Sequence, residues 1–162
     1  MIHHQTYTES YVATLYERIN IQTPLQLDFQ LIAHRLGIKV FYWPEQSQAL
    51  FFKDTGYIML NNTLSPQQQW QDFTHELGHV LLHTGSQTRL PKSFVEYQEF
   101  KAKQFMLHAS VPTFMLENLA LSDATQPNIL LVQQLFNVEE EIATKRLNSY
   151  LERKWDILNR NI

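Results

Sequence analysis

The spacing of apolar residues near the start of the chain predicts two helices. Between residues 7 and 21, apolar side chains recur at helical spacing: Tyr11, Val12, Leu15, Tyr16 and Ile19. This spacing is the period of one helix face, and Pro24 bounds the pattern. A second apolar set between Leu27 and Leu36 repeats the spacing, and Gly37 follows it as a helix stop.

The next apolar segments are too short for helices and have the composition of strands. IKVFYW, QALFFK and GYIML are rich in β-branched and aromatic residues, and turn-forming residues separate them. We therefore predict a small antiparallel sheet formed by these segments.

A long helix is predicted directly after the last strand. Ser65 is a favoured N-cap residue, Pro66 suits the first helical position, and Gln68 completes a capping box with Ser65. We expect this helix to run to about Thr84, where Gly85 can terminate it.

The remainder of the chain has helical patterns as well. A further helix is predicted from about Ser93 to Ala109, and Pro112 bounds it. Residues 113–162 form a helical C-terminal part, in which we read Asn137 and Glu140 as a second capping box. This part is longer than the chemistry requires, so it serves either as core or as a partner-docking element. The prediction is an α+β, zincin-like fold with a small antiparallel sheet packed against the long helix.

The composition of the chain indicates how many domains it forms, which partners it does not bind and which ligands a metal site can use. A chain of 162 residues with 44% hydrophobic residues is expected to form a single domain over residues 1–162. The net charge of −3 gives no basic face for direct nucleic acid binding. The sequence has no targeting segment and no apolar run of membrane-spanning length, so we expect a cytoplasmic protein that does not bind membranes. Because there is no cysteine, a metal site must use His and carboxylate ligands.

The long helix carries the motif HELGH at residues 75–79. On a helix that advances about 100° per residue, His75 and His79 lie about 40° apart on adjoining turns, so both imidazoles reach one ion. Glu76 lies about 100° from His75, where a general base acting on water belongs. The apolar residues cluster on the opposite face: Trp70, Phe73, Leu77, Val80 and Leu81. One face of the helix therefore packs and the other is available for chemistry.

A catalytic zinc site needs a third protein ligand. His83 is excluded, because it lies about 12 Å from His75 along the axis at about 1.5 Å per residue. A carboxylate from another helix is the natural source. Glu96 and Glu99 lie on one face of the following helix, and only one of them is needed.

Two segments, LNNTLSPQQQWQDFTHELGHVLLHTG and EFKAKQFMLHASVP, resemble the ImmA/IrrE family of metallopeptidases over roughly residues 57–112. The resemblance implies that the third ligand begins a Glu-x-x-Ala pattern, which corresponds to Glu99 and Ala102 in this chain. Lys103 is a departure, because such proteins usually carry an acidic or amide residue there.

The combined motifs predict a zinc-dependent endopeptidase. Zn²⁺ would be held by His75, His79 and Glu99, with Glu76 as the general base. The resemblance implies a protein substrate, a helix-turn-helix repressor of a mobile element or stress response, and we expect it to pair with the GYIML strand. The alternative is a zinc-binding interaction protein that antagonises a regulator without cleaving it. No oxyanion donor is identifiable, and Tyr57, Tyr97 and His83 are the candidates.

Overall fold

The computed structural model describes residues 6–53, 55–83 and 90–160. The helices are α1 (Tyr7–Arg18), α2 (Phe29–Leu36), α3 (Pro66–Leu82), α4 (Lys92–Ser110), α5 (Thr113–Glu117), α6 (Gln126–Phe136) and α7 (Glu140–Arg160). The strands are β1 (Lys39–Trp43), β2 (Gln48–Phe52) and β3 (Thr55–Asn61). A short 3₁₀ helix at Pro24–Gln26 precedes α2. The α+β class predicted from the sequence is confirmed.

The two N-terminal helices lie where the apolar spacing placed them. A capping box between Thr6 and Glu9 begins α1. Gly37 follows α2 in the left-handed conformation, with φ of 70°, which glycine adopts without steric cost. The apolar spacing and Gly37 were sufficient to predict both helices, and the Thr6–Glu9 capping box was not among the predictions.

The three strands form a mixed sheet, and the prediction of an antiparallel sheet is wrong for one of its two pairings. The strand order is β1-β3-β2. β2 pairs antiparallel with β3, whereas β1 pairs parallel with β3. β3 is therefore the central strand of the described sheet.

The link between β1 and β2 explains this topology. Residues 44–47 cross the end of β3, so that β2 lies on its far side. Ser47 Oγ accepts a hydrogen bond from the Asn61 N–H at 3.0 Å, and the Trp43 carbonyl accepts one from the Asn62 N–H at 2.9 Å. The hydrophobic pattern identifies strands, but it does not encode which strand lies beside which.

The sheet packs one face against α3. Ile58 and Leu60 of β3 are fully buried there, and a Cβ atom on Gly56 would lie 2.5 Å from Cγ1 of Val80. The predicted Ser65–Gln68 capping box begins α3 and is confirmed. The helix ends at Leu82, and the predicted terminator at residues 84–85 lies outside the described residues.

The helical C-terminal part is confirmed, but its predicted capping box is not formed. Asn137 has φ of 51° and ends α6, donating its N–H to the Gln133 carbonyl. The Glu139 carbonyl accepts the hydrogen bond of the first turn of α7, so Glu139 stands at the cap position. The prediction failed because Asn suits both an N-cap and a left-handed C-cap.

The C-terminal helix shares its core with the rest of the chain. Leu147 and Leu151 of α7 belong to the same buried apolar cluster as Val12 of α1 and Phe73 of α3. This continuity favours the core role for α7, and a single domain over residues 1–162 stays a prediction.

A buried ionic cluster joins the N-terminal and C-terminal helices. The Glu9 carboxylate accepts hydrogen bonds from the Thr6 N–H at 2.8 Å, from the Thr113 hydroxyl at 2.5 Å and from the Arg153 guanidinium. The fully buried Arg146 donates to the Val111 carbonyl at 3.0 Å and 3.1 Å. These contacts connect α1 to α5 and α7 beneath the surface.

We expect this cluster to make the fold sensitive to acid. Burial raises the pKa of Glu9, but hydrogen bonds led by that from Arg153 outweigh it and lower the pKa to about 2 from 4.5. The unfolded state then binds the proton more readily, so the stabilisation is complete above pH 4.5 and is lost as pH falls towards 2. Burial and Arg146 also lower the pKa of the neighbouring His108 to about 4. The unfolded state therefore binds this proton more readily too, and stability also decreases as the pH falls from 6.5 towards 4.

Denaturant unfolding of the chain and of Glu9→Gln measures this contribution. The variant should be less stable than the unsubstituted chain at neutral pH. Between about pH 5 and about pH 3, the decrease in its free energy of unfolding should be about 2 kcal/mol smaller than the decrease in the unsubstituted chain. Glu17→Gln is the matched control, because Glu17 is exposed on the same helix. An acid dependence that is the same in Glu9→Gln as in the unsubstituted chain would contradict this assignment.

No helix within residues 6–53, 55–83 and 90–160 is both long and apolar enough to cross a membrane.

Candidate metal centre

Close packing of α3 against α4 builds the site. A Cβ atom on Gly78 would lie 3.2 Å from Cα of Ala102 and 3.1 Å from Cδ1 of Phe105. Gly78 and Ala102 therefore let the two helix backbones approach more closely than larger side chains would allow. This approach brings Glu99, three residues before Ala102, within reach of the histidines on α3.

The structure brings His75, His79 and Glu99 together. The two Nε2 atoms lie 3.2 Å apart. Glu99 Oε2 is 3.4 Å from His75 Nε2, and Glu99 Oε1 is 3.2 Å from His79 Nε2. The three ligand atoms lie within 4.8 Å of one another. Two nitrogen donors and one oxygen donor thus converge on one point.

This donor set fits a divalent metal ion such as zinc. Burial lowers the pKa of His75, and it lowers the pKa of His79 to about 4. Both imidazoles are therefore neutral near pH 7, which is the form that binds a metal. Two imidazoles and one carboxylate leave a fourth tetrahedral position for water or substrate, as a catalytic zinc site requires.

The Glu76 carboxylate lies beside this cluster and is held by the sheet. Its Oε2 accepts a hydrogen bond from the Ala49 N–H of β2 at 2.8 Å. Burial is the main cause that raises the pKa of Glu76 to about 8, and the Ala49 hydrogen bond acts in the opposite direction. A divalent cation nearby would lower this pKa again, because an opposite charge favours the carboxylate form.

A cleft of about 710 Å³ contains the cluster, and its size is in the range of ligand sites. His75, Glu76, His79 and Glu99 line one side of it. Residues from the end of β1 through β2 line the other. The cleft therefore runs between an edge of the sheet and the two site helices.

The sequence profile of the peptidase M78 family, described as the IrrE N-terminal-like domain, matches residues 33–148. The chain belongs to the ImmA/IrrE family. It is thereby placed in a family of metallopeptidases, and the resemblance seen in the sequence is confirmed.

Two relatives of this ImmA/IrrE protein come from Bacillus subtilis (strain 168). The phage-like element PBSX protein XkdA is 39% identical over 149 residues, which cover 92% of this chain and 75% of XkdA. The uncharacterized protein YqaB is 32% identical over 148 residues, covering 91% of this chain and 86% of YqaB. A mobile-element context is thus documented for one relative.

The other candidate carboxylate lies apart from the cluster. The side chain of Glu96 is 66% exposed and pairs with Lys92 at 3.7 Å. Glu99, in the Glu-x-x-Ala pattern of the ImmA/IrrE family, is the acid that meets His75 and His79. The geometry favours Glu99, and metal binding by these three side chains stays a prediction.

The three oxyanion candidates are found in different places. Tyr57 stacks on Phe41 of β1, with ring centroids 6.2 Å apart, and Tyr97 lines a second cavity. His83 lines the cleft, with its ring 5.5 Å from that of His79 and its Nε2 3.1 Å from the Gln98 carbonyl. Because a carbonyl only accepts, this contact places a proton on Nε2 of His83.

Three residues near the site were missed by the sequence reasoning. Asp72 lies near His75 and Glu76. Burial lowers the pKa of His75, and the negative charges of Glu99 and Asp72 partly oppose it, whereas Asp72 adds to the burial that raises the pKa of Glu76. The spacing of Asp72 three residues before His75 was a helical signal that identifies it. Ala49 contributes only its backbone N–H, which its residue type does not reveal. Gln98 lines the cleft from α4, and a glutamine in a helix does not by itself indicate a site.

The expectation that a substrate pairs with GYIML is wrong. These residues belong to β3, whose two sides are occupied by β1 and β2. Among the described strands, β2 is the edge that lines the cleft. A central strand has no unpaired backbone groups to offer to another chain.

Proposed function

We propose that this protein is a cytoplasmic zinc-dependent endopeptidase that hydrolyses a peptide bond in a regulatory protein. The observation that carries the proposal is the convergence of His75, His79 and Glu99 beside the buried Glu76 carboxylate. Three donor groups with a neighbouring general base form the arrangement needed for metal-assisted hydrolysis of a carbonyl compound.

In this proposal His75, His79 and Glu99 hold the ion. When bound, zinc supplies a positive charge that lowers the pKa of water and polarises the scissile carbonyl. Glu76 accepts the proton from the attacking water and delivers it to the leaving amine. The Ala49 N–H keeps the Glu76 carboxylate on the cleft side during both steps.

The edge of β2 that does not pair with β3 is the proposed place for an extended substrate segment, apart from the Ala49 N–H, which donates to Glu76. β2 pairs with β3 on one side and lines the cleft, opposite the site histidines. A segment that adds to this edge lies across the space between Glu76 and Glu99.

The proposed substrate is a DNA-binding repressor of a mobile element. A relative that matches most of this chain is a protein of the phage-like element PBSX, and the resemblance to the ImmA/IrrE family implies a helix-turn-helix repressor as the partner. The net charge of −3 supports recognition of the repressor as a protein, with no direct contact to nucleic acid.

Co-expression with the regulator encoded beside this gene tests the proposal. We expect about one zinc ion per purified chain and two regulator fragments by intact-mass analysis, whereas the Glu76→Gln variant leaves the regulator whole. Absence of bound metal after mild purification, with no change on adding Zn²⁺, would remove the metallopeptidase proposal.

The alternative is a zinc-binding protein that antagonises a regulator without cleaving it. Lys103 favours this alternative, because it stands where such proteins usually carry an acidic or amide residue, and a lysine cannot accept a hydrogen bond from a ligand imidazole. If Glu76→Gln keeps the biological effect on the regulator, the alternative takes precedence. If Glu76→Gln abolishes both the biological effect and the regulator fragments, the peptidase proposal stands.

A further inference from the structure

A second cavity of about 360 Å³ adjoins the candidate metal centre. Most of its wall is aromatic or apolar, with side chains from α1, the end of α3 and α4: Tyr7, Tyr11, Leu82, Phe94, Tyr97 and Phe105. Ligand sites typically have this size and an apolar lining with a few polar groups. The cavity therefore has the form of a binding site.

Two of its aromatic side chains do little for the core. Phe94 and Tyr97 are 49% and 54% exposed, and their rings lie 6.4 Å apart. On a helix that advances about 100° per residue, both share one face of α4, and Glu99 is turned about 140° away from Phe94. One helix thus presents Glu99 to the metal centre and an aromatic face to the neighbouring cavity.

The cavity carries one cationic side chain. Lys101 Nζ lies 5.6 Å from the centroid of the Tyr97 ring, and Lys101 is half-buried. Within the described part of the chain, no acidic side chain forms a salt bridge with Lys101, and none lines the cavity. The cavity therefore complements a ligand that combines an aromatic ring with a negative charge.

Gln98 and His83 form a wall that the cavity shares with the metal cleft. Gln98 is 4% exposed, and its Oε1 accepts no hydrogen bond from the described residues. An unsatisfied buried acceptor is costly, so a rotation of the Gln98 side chain towards a peptide N–H of a bound substrate would be favourable. A chain that lies in the cleft has this wall directly beside it, so its side chains reach the cavity.

We propose that this cavity binds an aromatic side chain of the protein substrate, with an Asp or Glu two residues away that pairs with Lys101. In an extended segment, residues two positions apart point to the same side, about 6.8 Å from each other. This spacing suits a ring inside the cavity and a carboxylate at its rim. The assignment rests on the proposed function and deepens it, since it states which side chains the peptidase selects.

Peptide binding to a cleavage-deficient chain tests the assignment directly. The protein is the zinc-loaded, ¹⁵N-labelled Glu76→Gln variant, and the probe is the blocked peptide Ac-Ala-Glu-Ala-Phe-Ala-Glu-Ala-NH₂. This peptide presents an acid on either side of the ring, so it fits both chain directions. We expect amide shifts on α4 around Tyr97, and binding about tenfold or more weaker when Ala replaces Phe in the peptide.

Charge reversal tests the role of Lys101. Lys101→Glu should weaken binding of the acidic peptide by about threefold to fivefold. The same variant should bind more tightly a second peptide in which Lys replaces both Glu residues. Lys145→Glu is the matched control, because Lys145 is exposed on α7 and lies outside both cavities. If Lys101→Glu does not fold, Lys101→Gln is used in its place, and the expected loss of peptide affinity is then smaller.

The outcomes separate this assignment from the proposed function. Equal binding of the Phe and Ala peptides, no binding by either, or equal effects of the two charge reversals would overturn the cavity assignment. Cleavage of the regulator with none of these preferences removes the cavity assignment and keeps the peptidase. Selective peptide binding without any cleavage of the regulator keeps the cavity assignment and removes the peptidase.

Discussion

Glu76→Gln is expected to abolish hydrolysis while leaving the fold and the bound zinc unchanged. Gln keeps the volume of the side chain but does not accept the proton from water, and loss of such a base costs about 10²- to 10⁴-fold in rate. The Ala49 N–H at 2.8 Å also finds an acceptor in the Gln amide oxygen, so the side chain stays in place. Turnover of the regulator and zinc content should be measured on the same preparation.

Two further variants make the result interpretable. His79→Ala should lose both zinc and activity, because it removes one of the converging donors. Glu96→Gln makes the same chemical change at an exposed acid on α4, and it should leave activity unchanged. Full activity of Glu76→Gln would show that another group serves as the base.

Glu99→Ala is expected to weaken zinc binding by about a hundredfold or more, whereas Glu96→Ala should have little effect. The Glu99 carboxylate lies within 3.4 Å of both imidazole Nε2 atoms. The Glu96 carboxylate instead pairs with Lys92 on the exposed side of α4. Because the two substitutions are chemically identical and one helical turn apart, each is the matched control of the other.

Competition of each variant with a zinc chelator measures the effect. The unfolding transition should be followed as well, so that loss of metal is separated from loss of fold. A larger loss of affinity in Glu96→Ala than in Glu99→Ala would show that the ligand set proposed here is displaced by one turn.

The hydrogen bond between Ala49 and Glu76 links the sheet to the proposed general base. The donor is a backbone N–H of the edge strand, and the acceptor is the proposed general base. In the proposed mechanism, a substrate that adds to β2 therefore binds next to the general base.

The sequence by itself determined the features that depend on short-range interactions. The start of α3 follows from Ser65, Pro66 and Gln68, because a capping box is formed within one turn. The juxtaposition of His75 and His79 follows from the helix period alone. For the same reason α1 and α2 begin within two residues of their predicted starts, although α1 ends at Arg18, three residues before the predicted Ile21.

Local signals were insufficient where one residue type serves two purposes. Asn137 was read as the start of a helix, but it ends the preceding one in the left-handed conformation. Asn is favoured in both positions, and only the path of the chain from α6 to α7 distinguishes them.

Tertiary structure alone decided the arrangement of the strands and the surroundings of the site. The crossing of residues 44–47 made β3 central and β2 the edge strand, since pairing depends on long-range contacts that no alternation pattern records. The Glu-x-x-Ala resemblance predicted Glu99, and the packing of Gly78 against Ala102 is the tertiary contact that brings Glu99, and not Glu96, to the histidines. The donor that holds Glu76 is a backbone N–H, which every residue type except proline carries, so only the fold could reveal it.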